Sequence, residues 1–528
     1  GAQAGAVMER VAARRAHLQL TCVQFFDRSD YHNNMVRTHS YLPYRFDDRL
    51  AGNLFLVHDT LCDDGLFLLK EAPCGDAQLA WPGFDLVCKR GDLRLTGLGL
   101  TASDISDSEW TRGYGFVTGV AGADEFSLLS ALKDYQSRLR LRTPERDEMI
   151  LLNTWGDRGQ DRNIGEGFAM RELEAARRLG ISHFQLDDGW QAGRTLNSAT
   201  PGGTLSGLWE RDGFWEVHPQ RFPRGLTPVV ERAQQLGIQM GLWYNPSRDR
   251  GYPHWRKDAE TLIRLYRQHG IRTFKIDGVD ILDKQSDNNL RAMFDMVVEA
   301  TGGDVVFNLD ITAGHRWGYH CGNEYGNLFL ENRYTDVGNY YPHWTLRNLW
   351  QLARYVPPQN LQIEFLNRWR NADQYAPDDP LAPQRVPFDY CFAVTMMAQP
   401  LAWFEAGNLP EEAFSAAPVI AAYRQHQARI HSGRIFPVGQ EPSGLGWTGF
   451  QSILDHEQGY LLIFREWNEQ PQASLRLWNV AGRRLQCDHV TGHGVDFTGV
   501  VDAGGALNVQ LPAPFSFALW TYRVVTGA

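Results

Sequence analysis

At 528 residues the chain is too long for one ordinary core, so about two to four domains are expected. Hydrophobic residues at 43% and charged residues at 22% describe a globular protein, and no apolar run approaches the roughly 18 residues of a membrane-spanning helix. A net charge of −10 with no basic cluster argues against nucleic acid as a partner.

Up to about residue 145 the texture is strand-rich. LQLTCVQF (18–25) and DLRLTGLGL (92–100) alternate inward and outward side chains between Gly, Asp and Asn turns. The same texture returns after about residue 430 in ALNVQL (506–511) and FSFALWTY (515–522), with DAGG (502–505) as a turn. Between them apolar strands alternate with amphipathic helices, the pattern of a parallel sheet with crossover helices. The helix around 166–179 puts Ala169, Leu173, Ala176 and Leu179 on one face and stops at Gly180. Gly237 and Gly270 punctuate two further helix-to-strand junctions in the same way.

Counting candidate strands gives MILLNTW, SHFQLDD, IQMGLWYNP, RTFKIDG, DVVFNLD, NLFLENRYTD, LQIEFLN and PLAWFEAGN. Eight strands with intervening helices predict an α/β fold, a central (β/α)8 TIM barrel. The expected division is an N-terminal β-sandwich over 1–145, the barrel over 146–430 and a C-terminal antiparallel β-sandwich over 431–528.

Active sites of such barrels lie at the C-terminal strand ends. Those ends are polar here: Asn153-Thr154-Trp155, Asp187-Asp188-Gly189-Trp190, Trp243-Tyr244-Asn245, Lys275-Ile276-Asp277, then Asp310, and Arg333 with Asp336. In FKID, alternation puts Lys275 and Asp277 on one face, toward the barrel mouth, and Phe274 and Ile276 toward the helices. Two bland readings compete with a site. Asp187-Asp188 before Trp190 suits a helix N-cap followed by a core aromatic, and KxD suits an ion pair closing the barrel. Polar groups ending several strands at one rim weigh against both.

The seven cysteines are scattered and odd in number, without CxxC or HExxH, so free thiols are expected and neither a disulfide framework nor a zinc site. The 17 Trp and 12% aromatic content suit either large cores or sugar-binding walls. No charged n-region with an apolar h-region opens the chain, so a cytoplasmic protein is expected. The chain does not begin with Met, which leaves periplasmic or secreted placement open, and a homo-oligomer is left open too.

NTW, LDDGW, RFPRGL, GLWYNP and FKID, in this order and spacing, resemble glycoside hydrolase family 36, the α-galactosidase family of clan D. The resemblance covers about residues 148–340 and implies a retaining, exo-acting α-galactosidase without a cofactor, acting on an α-linked galactose-containing oligosaccharide or glycoside. It implies Asp277 as nucleophile, and Asp336, 59 residues further on, as general acid/base, with Glu331 as the runner-up. Lys275 would contact ring hydroxyls, Asp187 and Asp188 the O4 and O6 hydroxyls, and Arg333 the O2 hydroxyl. Trp155, Trp190 and Trp243 would wall the pocket.

Two segments depart from the family pattern. Asn245 stands in WYNPS where Glu is usual, and LDITAGHRWG replaces a Cys followed by a Gly-Gly-Arg run, with Asp310 near the Cys position. The strand-five departure leaves the C2 substituent open, an α-N-acetylgalactosaminide included. Glu364 and Glu405 are read equally as aglycone contacts or structural ion-pair partners. A raffinose-synthase-type galactosyltransferase and an inactive carbohydrate-binding protein stand as alternatives to the hydrolase.

Overall fold

The structure is a computed structural model that describes residues 7–12, 17–25, 35–42, 47–73, 84–89, 92–97, 99–157, 159–311, 317–330 and 340–525. All eight expected runs form strands: β1 (Leu151–Asn153), β2 (His183–Leu186), β3 (Gln239–Tyr244), β4 (Thr273–Ile276), β5 (Val306–Leu309), β6 (Gly326–Leu330), β7 (Leu361–Phe365) and β8 (Gln399–Trp403). They pair in parallel in chain order, and β1 pairs with β8 to close the barrel. The strands end just before the polar residues. Asp187, Asp188 and Asp277 therefore leave the rim in loops whose direction the strands set.

Alternation sorts the strand side chains. Leu152, Phe184, Leu242, Phe274, Ile276 and Phe307 join the large core under the helices. Met149, Leu151, Val306, Phe329, Leu401 and Trp403 form a separate cluster inside the barrel, with Trp155 packed against it. Helix α1 (Glu166–Leu179) buries Ala169, Leu173, Ala176 and Leu179 fully. It ends at Gly180 with φ 93°, whose N–H bonds Ala176 O at 3.0 Å. A side chain there would be strained by that φ and would bring its Cβ to 3.0 Å from Ile420.

Antiparallel sheets flank the barrel. On the N-terminal side a five-stranded sheet (Val36–Tyr41, Leu18–Phe25, Leu54–Asp59, Asp64–Glu71, Gly115–Gly122) accompanies a four-stranded one. Leu18, Leu20 and Cys22 pack in the N-terminal core with Leu86, Cys88, Leu93 and Leu95. Val23 and Phe25, on the opposite face, belong to the barrel core. On the C-terminal side lie a six-stranded sheet and a two-stranded one, with Ala506–Gln510 and Ser516–Val525 among their strands. Among the described residues no helix is long and apolar enough to cross a membrane, and the six described cysteines are free thiols.

Candidate active site

Lys275 points into the barrel, as alternation along β4 requires. Its ammonium lies 4.3 Å from the ring centroid of Phe329 and 5.6 Å from that of Trp403, both in the in-barrel cluster. It donates to Asp187 Oδ2 at 3.2 Å, and both side chains are only 2% exposed. Asn153 Nδ2 donates to the same oxygen at 2.6 Å, and Asp187 Oδ1 accepts the Asp188 N–H at 2.8 Å. Burial pushes the Asp187 carboxyl up, and the Lys275 charge and the Asn153 bond oppose it. The ends of β1, β2 and β4 thus meet on one carboxylate.

Asp277 follows directly. Its backbone N–H continues the β3–β4 pairing onto Tyr244 O at 2.9 Å. Oδ1 accepts the Gly278 N–H at 2.6 Å, and Oδ2 accepts from Trp243 Nε1 at 3.2 Å. The side chain is 14% exposed, reached by solvent yet fixed by two N–H donors. A carboxylate held this way is oriented by its two donors.

Asp188 has different surroundings from its neighbour. One oxygen accepts from Gln191 Nε2 at 2.7 Å and the other from the Thr195 hydroxyl. Gln191 in turn accepts the Gly189 N–H at 3.0 Å and donates to Gly193 O at 3.0 Å. Burial pushes Asp188 up to about 7 against those two hydrogen bonds. Gly189 makes the divergence feasible: its φ is 117°, and a Cβ there would come to 2.4 Å from Arg221 Nη1 and 2.6 Å from Asp161 Cβ.

The three indoles expected as pocket walls occupy three different environments. Trp243 donates to Asp277 as described. Trp155 is half-buried against the in-barrel cluster, and its backbone N–H bonds Asn153 Oδ1 at 2.9 Å. Trp190 is fully buried behind β3: its Nε1 donates to Trp243 O at 2.8 Å, and its ring lies 6.2 Å from that of Trp215. Trp215 lies 6.0 Å from Trp243 and stacks on Tyr244 at 4.1 Å. Trp190 therefore braces the strand that carries Trp243.

Asp310 is buried at the end of β5, its N–H bonded to Ile276 O at 2.9 Å. Glu364 is buried on β7. Glu405 accepts from Asn163 Nδ2 at 3.2 Å and Asn408 Nδ2 at 2.7 Å. Glu331, Arg333 and Asp336 lie outside the described residues. Sequence reasoning missed Phe329 and Trp403 as the rings beneath Lys275. It also missed Arg248, which reaches the Asp277 turn. Its position five residues after Trp243, in the loop leaving a rim strand, is the signal that would have found it. Among the described residues no group of three or more His, Cys, Asp or Glu is placed to hold a metal ion.

Comparison with known proteins places this arrangement. The Melibiase family model matches residues 121–256, which take in β1 to β3 and stop short of Asp277. The α-galactosidase of Escherichia coli is 33% identical over 107 residues, 20% of this chain and 13% of that protein. The family 36 α-galactosidase AgaB of Geobacillus stearothermophilus superposes with a TM-score of 0.68 at 14% identity, covering 98% of this chain and 75% of that one. A substituted form of a second enzyme of that organism, AgaA, in complex with raffinose, superposes with a TM-score of 0.67 at 13% identity, covering 98% and 76%. The structural likeness speaks for the fold. The sequence likeness is local, since the E. coli match spans 13% of that enzyme's length.

Proposed function

We propose that this chain, which is a glycoside hydrolase family 36 α-galactosidase-like protein, is a retaining exo-α-galactosidase. The observation that carries the proposal is the carboxylate of Asp277, aimed by Trp243 and Gly278 beside the buried Lys275–Asp187 pair. In this reading Asp277 attacks C1 of an α-galactoside while Asp336 protonates the departing oxygen, giving a β-linked glycosyl-enzyme. Asp336 then takes a proton from water, which attacks C1 and restores the α configuration. Glu331 is the other candidate for the acid/base.

Asp187 is proposed to accept from the sugar's O4 and O6 region. Its lone pairs beyond the bonds to Asn153, Lys275 and the Asp188 N–H suit a diol with an axial O4. Asp188 adds to the same subsite from the loop it holds through Thr195 and Gln191. Trp155 and Trp243 face the sugar, and Trp190, the third expected wall, supports Trp243. Asp310 and Arg333 are assigned to the C2 side. The raffinose complex of the Geobacillus relative supports an α-galactosyl oligosaccharide as substrate.

The test is a panel of p-nitrophenyl α-glycosides differing at C2, C4 and C6. The α-galactoside is expected to be cleaved best, with the product anomer retained. Equal or better cleavage of the α-glucoside would sink the axial-O4 assignment. Product analysis with an added sugar acceptor separates hydrolysis from transfer.

A further inference from the structure

The loop after β3 brings a cation to the proposed nucleophile. Arg248 Nη2 lies 3.9 Å from Asp277 Oδ1, its Nη1 lies 3.3 Å from Asp280 Oδ2, and its Nε donates to Asn245 Oδ1 at 3.3 Å. Gly278 makes room for the guanidinium. At its φ of +68°, an added Cβ would stand 2.2 Å from both Arg248 Nε and Asn245 Oδ1. Tyr252 fixes the same turn, its hydroxyl donating to Gly278 O at 2.7 Å and accepting the Asp280 N–H at 2.8 Å. Two loops are thus locked together around one guanidinium.

We infer that Arg248 is a positioning residue for Asp277, one cation shared between Asp277 and Asp280 that keeps the proposed nucleophile ionised and aimed. The inference rests on the reading of Asp277 as nucleophile. An opposite charge within about 4–6 Å lowers a carboxylate pKa by about 1–3 units. With Arg248 25% exposed and Asp277 14% exposed, solvent screening puts the effect at the low end of that range. Asp280 draws on the same cation. Among the described residues, Asp187 also faces Asp277 and acts on it through its charge, and Lys275 pairs with Asp187. The Asn245 found here in place of the family's usual Glu suits such a cation, because a neutral amide oxygen orients the guanidinium without competing for its charge.

The test follows the ionisation of Asp277 directly, by carboxyl 13C titration of the full chain with its signal assigned through loss in Asp277→Asn. The pH profile of kcat/KM on p-nitrophenyl α-galactoside is measured beside it. Arg248→Met is expected to raise the Asp277 midpoint by about one unit, to shift the acid limb equally, and to lower kcat more than it raises KM. Arg248→Lys keeps the midpoint while kcat still falls, because a point charge cannot fork across two carboxylates. Asp280→Asn moves the midpoint the other way, since the guanidinium is no longer shared, and it carries the test should Arg248→Met not fold. An unmoved midpoint in the variant that folds overturns the inference even if hydrolysis is robust. A moved midpoint in a chain that cleaves no galactoside upholds it and removes the glycosidase reading instead.

Discussion

The two halves of the barrel rim are built differently. From β1 to β4, Asn153, Asp187 and Lys275 form one hydrogen-bonded group anchored on rings inside the barrel, and Trp243 and Asp277 form a second, whose carboxylate acts on Asp187 through its charge. From β5 to β8, Asp310 is buried at the end of β5 and Glu364 is buried on β7. Asp310 ends a strand whose following segment departs from the family pattern, and Glu405 is tied to Asn163 and Asn408. A cooperative polar network tolerates little change, because removing one member leaves the others buried and unpaired. On the proposed reading the first half supplies the nucleophile and the O4 and O6 contacts, and the second half the acid/base and the C2 side.

The sharpest way to break that division is Asp277→Ala. Turnover on every α-galactoside should fall by about four orders of magnitude or more, as loss of a nucleophile does elsewhere. The melting temperature should hold, since the residue stands at the rim outside the core. Wild-type-like activity in a folded variant would remove Asp277 from the mechanism.

Asp336→Ala probes the acid/base proposed for the second half. With a good leaving group the first step should survive and the glycosyl-enzyme accumulate, at an overall cost of about 10²–10⁴-fold. Azide should restore turnover and yield an α-galactosyl azide, because its attack inverts the β-linked intermediate. Rescue of Glu331→Ala in place of Asp336→Ala transfers the role to Glu331.

The neighbours Asp187 and Asp188 sharpen the comparison within a single motif. An unpaired buried polar group costs about 1–3 kcal/mol, or more when charged, so the pair is expected to favour α-galactosides over α-glucosides by roughly two to four orders of magnitude. Asp187→Asn should lose most of that preference in kcat/KM, because an amide presents an unwanted donor to Lys275 or to the sugar. Asp188→Asn should lose less, since its oxygens already serve Thr195 and Gln191. Equal losses would mean that Asp188 reads the sugar as directly as its neighbour does.

The smallest expected effect is on stability against pH. Asp188 is raised to about 7 from 3.8 by burial, so between those values the folded chain holds a proton that the unfolded chain has released. Stability from this group is present at low pH and lost as pH rises toward 7, by at most about 4 kcal/mol at about 1.4 kcal/mol per unit. Asp188→Asn cannot titrate. The melting temperature of Asp188→Asn minus that of the wild type should therefore climb from pH 4 to pH 7. A flat difference would mean that the carboxylate is ionised throughout.

The barrel was legible in the sequence because its cues are local. Apolar runs of strand length, helices with one apolar face, and glycines at 180, 237 and 270 each act within a few residues of themselves. The inward turn of Lys275 and the outward turn of Phe274 and Ile276 were legible for the same reason, since alternation is a property of the strand alone. The sequence also showed which strand ends were polar. It did not show what those ends touch. Asp187 and Asp188 look equivalent on paper, and only the folded chain separates them, through the positive φ of Gly189 and through Gln191 and Thr195 further along the same loop. Trp190 reads as a pocket wall in the sequence, and only the fold shows Trp215 packed beside it. Arg248 meets Asp277 only because two loops on adjacent strands fold over Gly278. The contacts of Trp190 with Trp215 and of Arg248 with Asp277 join residues far apart in the chain, and their energy exists only once the barrel has closed and brought the strand ends to one rim.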